Sequence, residues 1–168
     1  MGLKKLFVIL LLPVLLFGCA AEPVFERVDD VYVQTSSTPG TVEVMIPEKA
    51  TVLTAAGEGS GRLYFCEGYT MTVQTLAGGN LDSTFRALTG YGREALTIIE
   101  TLRGDVPCYS CAWISAGENG DQVGRLVVLD DGVYHYAVTV MASADRAGEL
   151  AEEWDQILSR VSLSDTAA

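Results

Sequence analysis

The sequence predicts an α+β fold in which a mainly antiparallel sheet is covered by helices. Two dipeptides that favour tight hairpin turns, Asn119-Gly120 and Asp131-Gly132, separate three strand-like segments within the meander 108–141. Apolar side chains fall on both faces of that meander, so each face needs a cover. Two amphipathic helical segments, one mid-chain and one near the end, can supply the covers.

Short runs rich in threonine, valine and tyrosine, broken by glycine, indicate the strands. The predicted strands are 31–35, 41–46, 51–55, 62–66, 69–76, 95–103, 108–117, 122–130 and 133–141. With two-residue turns, Glu118 lies opposite Asp121 and Asp130 lies opposite Val133.

Side chains alternate along a strand, which sorts the meander residues onto two faces. The first face carries Ala112, Ile114, Val127, Leu129, Tyr134, Tyr136, Val138 and Val140, and the second carries Cys111, Trp113, Leu126, Val128, His135 and Ala137. Both sets are largely apolar, so we expect this part of the sheet to be covered on both sides.

The first helix is predicted over 81–89, with Asn80 as its N-cap and Gly90 as its C-terminal stop. The second helix begins after a Ser143 cap and carries Asp145 in its first turn. Its apolar residues recur at helical spacing and are Ala147, Leu150, Ala151, Trp154, Ile157, Leu158 and Val161. We expect these side chains, Trp154 included, to pack in the core.

A resemblance supports this architecture. The segment 134–139, the acidic amphipathic helix after it and a terminal Ser-Leu resemble the end of Mog1/PsbP-like domains, as does Pro47 leading into Thr51-Val52-Leu53. The resemblance covers residues 41–163 and implies an α/β/α sandwich. That superfamily includes photosystem assembly factors, a partner of a small GTPase and many bacterial lipoproteins, and it carries over no catalytic residues.

Composition and charge bound the protein class. The chain has 168 residues, is 49% hydrophobic and has a formal net charge of −11. A nucleic-acid-binding protein would carry a basic surface instead, so we expect no nucleic-acid partner. We expect a signal peptide over 1–18, a lipidated N-terminus and tether over 19–30, and a single α+β domain over 31–164.

The first residues have the pattern of a secretion signal. Lys4 and Lys5 precede an apolar run of thirteen residues, 6–18, which is too short for a bilayer core that needs about 20 residues in a helix. The run ends at Leu16-Phe17-Gly18-Cys19, which resembles the lipobox of bacterial lipoproteins. That resemblance implies cleavage before Cys19 and acyl chains, such as palmitate, on its thiol. The alternative is an ordinary signal peptide that leaves Cys19 as a free thiol.

Lipidation would place the protein on the extracytoplasmic side of a membrane. The site would be the cell surface of a Gram-positive organism or the outer membrane of a Gram-negative one. Loss of both leader lysines changes the formal charge to −13 and leaves Lys49 as the last lysine. No polybasic segment then reinforces the anchor, so we expect the lipid on Cys19 alone to attach the protein to the membrane.

Three further cysteines are candidates for a disulfide: Cys66, Cys108 and Cys111. Cys108 and Cys111 form a C-x-x-C, but the motif lies in a strand-like run and not at the helix N-terminus that lowers a thiol pKa in redox enzymes. Three residues of extended strand span about 10 Å, beyond the roughly 7 Å limit between bridged Cα atoms. The alternatives are a bridge from Cys66 to one of the pair, free buried thiols, or thiol redox or metal chemistry.

No other pattern predicts a catalytic or metal site. The meander register separates His135, the only histidine, from Cys111 by two strand spacings, about 9–10 Å, which argues against a thiolate–imidazole dyad. The acidic clusters 118–121 and 130–131 coincide with turns, where Asp and Asn serve the backbone. The glycine-rich stretches 57–61 and 78–80 lack the phosphate-loop pattern.

The sequence therefore predicts a membrane-anchored extracytoplasmic lipoprotein that acts as a non-catalytic binding or assembly module. It needs no cofactor beyond the lipid, has no metal site, and has an envelope protein or a small ligand as its partner. The alternative is a thiol-disulfide oxidoreductase that uses Cys108 and Cys111. The sequence does not predict the oligomeric state.

Overall fold

The computed structural model describes residues 39–54 and 61–164. The predicted signal peptide, Cys19, the tether and the strand 31–35 lie outside the described residues. Neither α-helix of the described part is long and apolar enough to cross a membrane.

The described residues form nine strands, two α-helices and one short 3-10 helix. The strands are β1 (Thr41–Glu43), β2 (Thr51–Thr54), β3 (Gly61–Phe65), β4 (Thr70–Ala77), β5 (Ile99–Arg103), β6 (Val106–Gly117), β7 (Gly120–Asp130), β8 (Tyr134–Ser143) and β9 (Ser162–Ser164). The helices are α1 (Leu81–Thr89) and α2 (Ala144–Ser159), and the 3-10 helix covers Arg93–Ala95.

Seven strands form one antiparallel sheet in the order β2-β3-β4-β8-β7-β6-β5. β1 and β9 pair separately as a two-stranded ribbon. The predicted α+β class and the meander are confirmed. The sequence missed β9, and β1 is three residues long where six were predicted.

One helix covers each face of the sheet. On the first face α2 packs on β7 and β8, and Leu150, Trp154 and Ile157 join Tyr136 and Val138 in the larger core. On the second face Phe85 of α1 is fully buried. The core around it consists of Cys111, Trp113, Leu126, Val128 and Ala137. Ala112 and Ile114 lie on the first face as predicted, but they are exposed.

Both hairpin turns differ from the prediction by one residue. The first loop is Glu118-Asn119, because Gly120 takes its positive φ of 110° as the first residue of β7 and pairs with Gly117. The second loop is Gly132-Val133, because the Asp131 carboxylate accepts the backbone N–H groups of Val133 and Tyr134. Each shift changes the register by two residues, so the predicted faces survive while the predicted cross-strand pairs do not.

The two helix starts are capped differently. The Asn80 side chain accepts the Asp82 N–H at 2.9 Å, and Gly90 ends α1 with φ 82°, both as predicted. Ser143 occupies the N-cap position of α2 but accepts no backbone N–H. A hydrogen bond with Ser143 instead holds the pKa of Asp145 below its ordinary value.

Candidate binding groove at the open edge of the sheet

A groove lies beside α2, over the part of the first sheet face that the helix does not cover. Its volume is about 740 Å³, within the roughly 300–1,000 Å³ of ligand sites. Its lining residues are Thr97, Ile99, Arg103, Ser110, Cys111, Ala112, Arg125, Leu126, Val127, Glu152, Asp155, Gln156, Leu158, Ser159 and Arg160. Helix α2 therefore forms one wall, and β5, β6 and β7 form the floor.

Arg103 of β5 forms hydrogen bonds with the C-terminal end of α2, at one side of the groove. Its guanidinium donates to the carbonyls of Leu158 and Val161, both at 3.0 Å, and to that of Ser159. The last turn of α2 carries no basic residue of its own. The cation supplied from β5 therefore satisfies carbonyls that the helix leaves unpaired and opposes the negative end of its dipole.

Two more arginines line the groove. Arg125 of β7 donates to the Asp155 carboxylate on α2 at 2.5 Å. Arg160 contacts the Met45 sulfur at 3.7 Å and has no carboxylate partner among the described residues. Three of the eight arginines of the chain thus meet at one groove. Glu152 and Asp155 also line the groove, so its lining carries three cationic and two anionic side chains.

The groove borders the free edge of the sheet. Of the described strands, only β6 pairs with β5. On β5, Ile99 is 60% exposed and Leu102 is 67% exposed. A second hollow of about 280 Å³ lies on the opposite face of the same strand and is lined by Glu100, Thr101, Leu102, Pro107 and Tyr109. The edge strand thus has a cavity on each side.

The cysteines do not form the predicted disulfide. Cys66, Cys108 and Cys111 are free thiols. Cys108 packs in the core under α2 and Cys111 in the core under α1, so the two point to opposite faces of β6. Cys66 follows β3, four strand spacings or about 19 Å from β6. Burial raises the pKa of Cys111 to about 11, which disfavours its thiolate.

His135 is far from Cys111. Cys111 pairs with Leu126, which pairs with Thr139, four residues along β8 from His135, a separation of about 16 Å. The His135 ring is buried. Its Nδ1 lies 2.7 Å from the Thr84 hydroxyl of α1, and its Nε2 lies 3.6 Å from the Asp130 carboxylate. The histidine thereby connects α1 to the end of β7.

A polar chain joins the start of the described N-terminal segment to the sheet. The Gly40 N–H donates to the Tyr136 hydroxyl at 2.8 Å, and this hydroxyl donates to Asp131 at 2.6 Å. Burial, followed by the Asp131 carboxylate, raises the pKa of Tyr136 to about 12. Burial acts to raise the pKa of Asp131, but hydrogen bonds from Tyr136, Tyr134 and Val133 hold it below the ordinary value.

A third titratable cluster lies near the other end of the sheet. Tyr69 donates to Glu153 of α2 at 2.8 Å, and its ring contacts Trp154 edge-on at a centroid distance of 5.9 Å. Burial and the bond to Glu153 raise the pKa of Tyr69. Burial raises the pKa of the Cys66 thiol beside it. Within residues 39–54 and 61–164, no three His, Cys, Asp or Glu side chains are placed to hold a metal ion.

The groove was not predicted from the sequence. Its three arginines come from β5, β7 and the segment after α2, so no local motif connects them. The sequence carried no signal for β5 as an edge strand of the described sheet, because β8, at the other end of the same run of four consecutive strands, is paired on both sides. The acidic turn residue Asp131 serves the backbone, as predicted.

The described residues form an α+β sandwich in which an antiparallel sheet has one helix on each face. No protein-family profile matches the chain, and no curated protein matches it. Among solved structures, the cyanobacterial PsbP protein CyanoP from Synechocystis has a TM-score of 0.54 at 10% identity, over 77% of this chain and 96% of its own.

Two other solved structures align with about three quarters of this chain. A Bacteroides thetaiotaomicron protein has a TM-score of 0.52 at 11% identity, over 76% of this chain. This chain spans about half, 46%, of that protein. LpqN of Mycobacterium tuberculosis, described as involved in cell envelope biogenesis, has a TM-score of 0.49 at 10% identity, over 77% of this chain and 87% of its own. That TM-score is too low to establish a shared fold.

Proposed function

We propose that the protein is a lipid-anchored, extracytoplasmic binding module without catalytic machinery, and that it binds its partner in the groove beside α2. The groove carries this proposal, because it joins a volume sufficient for a ligand, an apolar floor and three arginines. The resemblance of the leader to a lipobox supports the anchoring half, with Cys19 as the acylated residue.

The arrangement of the thiols gives no support to the oxidoreductase alternative. A dithiol enzyme needs two sulfurs within bonding reach and an electropositive site that stabilises a thiolate. Cys108 and Cys111 instead point into different cores, and the pKa of Cys111 is raised. A binding role needs none of this chemistry.

Anchoring is tested by the intact mass and membrane partition of the detergent-extracted protein. We expect the wild-type chain to carry acyl mass and to sediment with membranes, whereas Cys19→Ser loses both. Cys66→Ser is the matched control, because it removes a half-buried thiol elsewhere and should keep the lipid. An acylated Cys19→Ser product, or a wild-type chain without acyl mass, refutes the anchor.

Binding in the groove is tested by photo-cross-linking in cells. A photoreactive phenylalanine analogue replaces Ile99 in the groove or, as a control, Leu53 on the opposite edge of the sheet, which is similarly exposed at 57%. We expect an adduct of defined mass from position 99, lost on the groove-filling change Ala112→Trp, and none from position 53. Equal adducts from both positions, or none from either, contradict the proposed site.

A further inference from the structure

We propose that β5 is a docking edge to which an extended segment of a partner protein adds as an antiparallel strand. That segment carries an acidic side chain opposite Arg103, a basic one opposite Glu100, and apolar ones opposite Ile99 and Leu102. This inference rests on the proposed function in that the module binds a partner, and it names the kind of partner.

The backbone of β5 offers the first requirement. Its register with β6 runs from Ile99 opposite Ser110 to Arg103 opposite Val106. On the other side, no strand of the described residues pairs with it. The N–H and C=O groups of alternate residues there are open to an incoming strand, and exposed apolar side chains at such an edge favour pairing with another chain.

The two cavities offer the second requirement. Ile99 and Arg103 line the groove on the first face, whereas Glu100 and Leu102 line the smaller hollow on the second face. Successive side chains of an added strand point to opposite faces, so each cavity receives every second side chain of the partner. Recognition by strand addition works in this way, with main-chain bonds for affinity and alternate pockets for specificity.

The charges set the preferred sequence of the partner. Arg103 uses three of its five N–H donors on carbonyls of the described residues, which leaves two for a carboxylate. Glu100 is 60% exposed at its side chain, and among the described residues it pairs with Arg93 at 2.9 Å. Residues directly opposite each other in an antiparallel pair share a face and interact, so an acid opposite Arg103 and a base opposite Glu100 are both favoured.

A second copy of this chain fits the edge poorly. In a two-fold antiparallel pair of β5 strands, opposite residues must share a face. Arg103 and Glu100 lie on different faces, so no such pair brings them together. Centring the pair on Glu100 opposes like charges, and centring it on Thr101 opposes Ile99 to Arg103 and Glu100 to Leu102. The edge therefore fits a different sequence better than its own.

The test is fluorescence anisotropy with two labelled peptides and the full chain extracted in detergent. The matched peptide has the core Glu-Val-Thr-Lys-Val, which places its residues in order opposite 103 to 99. The swapped peptide has Lys-Val-Thr-Glu-Val. We expect the matched peptide to bind about fivefold more tightly, since the swap turns two attractive cross-strand pairs into repulsive ones.

Variants locate the binding. Leu102→Glu should weaken the matched peptide about fivefold or more, whereas Leu53→Glu, the same change on the opposite edge, should alter it less than about twofold. Glu100→Lys should reverse the preference opposite position 100. A third peptide, Glu-Val-Thr-Glu-Val, should bind this variant more tightly than the matched peptide does. Circular dichroism confirms that each variant is folded.

Three results overturn the strand-addition proposal: equal affinities for the two peptides, equal effects of the two glutamate variants, or a dimer of the full chain in sedimentation that Leu102→Glu abolishes. These failures are distinct from failure of the proposed function. A photo-adduct at position 99 with no peptide selectivity keeps the groove as a binding site and rejects strand addition alone.

Discussion

Replacing Arg103 with glutamine tests whether the edge strand stabilises the end of α2. The wild-type guanidinium donates to three carbonyls at that end, and Arg103 is half-buried. A buried hydrogen bond to a charged group contributes about 1.5–3 kcal/mol, and partial exposure reduces this. The three bonds, with the favourable charge at the helix C-terminus, should together stabilise the fold by about 2–3 kcal/mol.

Urea unfolding followed by tryptophan fluorescence measures this loss, because Trp154 on α2 is fully buried and reports on the packing of that helix. A loss of 2–3 kcal/mol corresponds to a decrease in Tm of about 6–12 °C for a domain of this size. Arg103→Lys keeps the charge but only one donor group, so we expect an intermediate value. Arg62→Gln is the control, since Arg62 is exposed and makes no ion pair with described residues. If Arg103→Gln unfolds within about 0.5 kcal/mol of the control, the capping argument is wrong.

Four further variants test the core under α1 and the polar chain at the second hairpin. Phe85→Ala should cost about 3–5 kcal/mol in urea unfolding, because this fully buried ring holds α1 to the sheet; a cost below about 1 kcal/mol would mean that the site collapses around the cavity. Gly124→Ala should cost about 1–3 kcal/mol in the same assay, because the added Cβ meets the Trp113 ring, and an unchanged midpoint would contradict the close approach. The pKa of Asp131 in the folded protein lies below its ordinary 3.8. Its contribution to the free energy of unfolding is therefore present above pH 3.8 and is lost as the pH falls through the folded value. Asp131→Asn should flatten this acid limb in a plot of stability against pH. Tyr136 has a raised pKa of about 12 against an ordinary 10, so its contribution to stability is lost as pH rises between the two values, and Tyr136→Phe should flatten that alkaline limb. The same variant should also reduce the acid limb, because the Tyr136 hydroxyl donates the hydrogen bond that lowers the Asp131 pKa most.

The sequence predicted those parts of the fold that depend on local chemistry and on alternation. Asn80 and Gly90 identify both ends of α1, since a side-chain cap and a positive φ are local requirements. The two faces of the meander were predicted correctly although both loops were displaced by one residue. A displacement of the loop by one moves the pairing by two, and a shift of two preserves alternation. The faces are therefore a more robust prediction than the cross-strand pairs.

The groove depends on relations that the sequence does not display. Ala112 and Ile114 belong to the correct face, yet they are exposed because α2 packs on β7 and β8 and does not extend over β6. The extent of cover depends on the crossing angle of the helix, which the periodicity of its apolar residues does not encode. Arg103 could be identified as a strand residue, but its role at the end of α2 requires two segments more than 50 residues apart to meet. The disulfide prediction was wrong for a related reason, because the spacing of cysteines in the sequence does not determine which core each thiol enters.

The net charge of −11 does not exclude a partner that carries acidic side chains. It still argues against nucleic acid, which requires a continuous basic surface. It does not argue against an acidic side chain at β5, because charges are screened beyond about 8 Å at physiological ionic strength and a docked strand meets Arg103 well within that distance. The exposed carboxylates of α2, Glu149, Glu152 and Asp155, instead repel highly acidic partners as they approach, so a segment of mixed charge is favoured. The salt dependence of the association rate separates the two effects. Raising the ionic strength should increase the association rate of an all-acidic peptide and leave that of the matched peptide nearly constant. An equal rise for the matched peptide would show that long-range repulsion, and not the local pairs at β5, controls recognition.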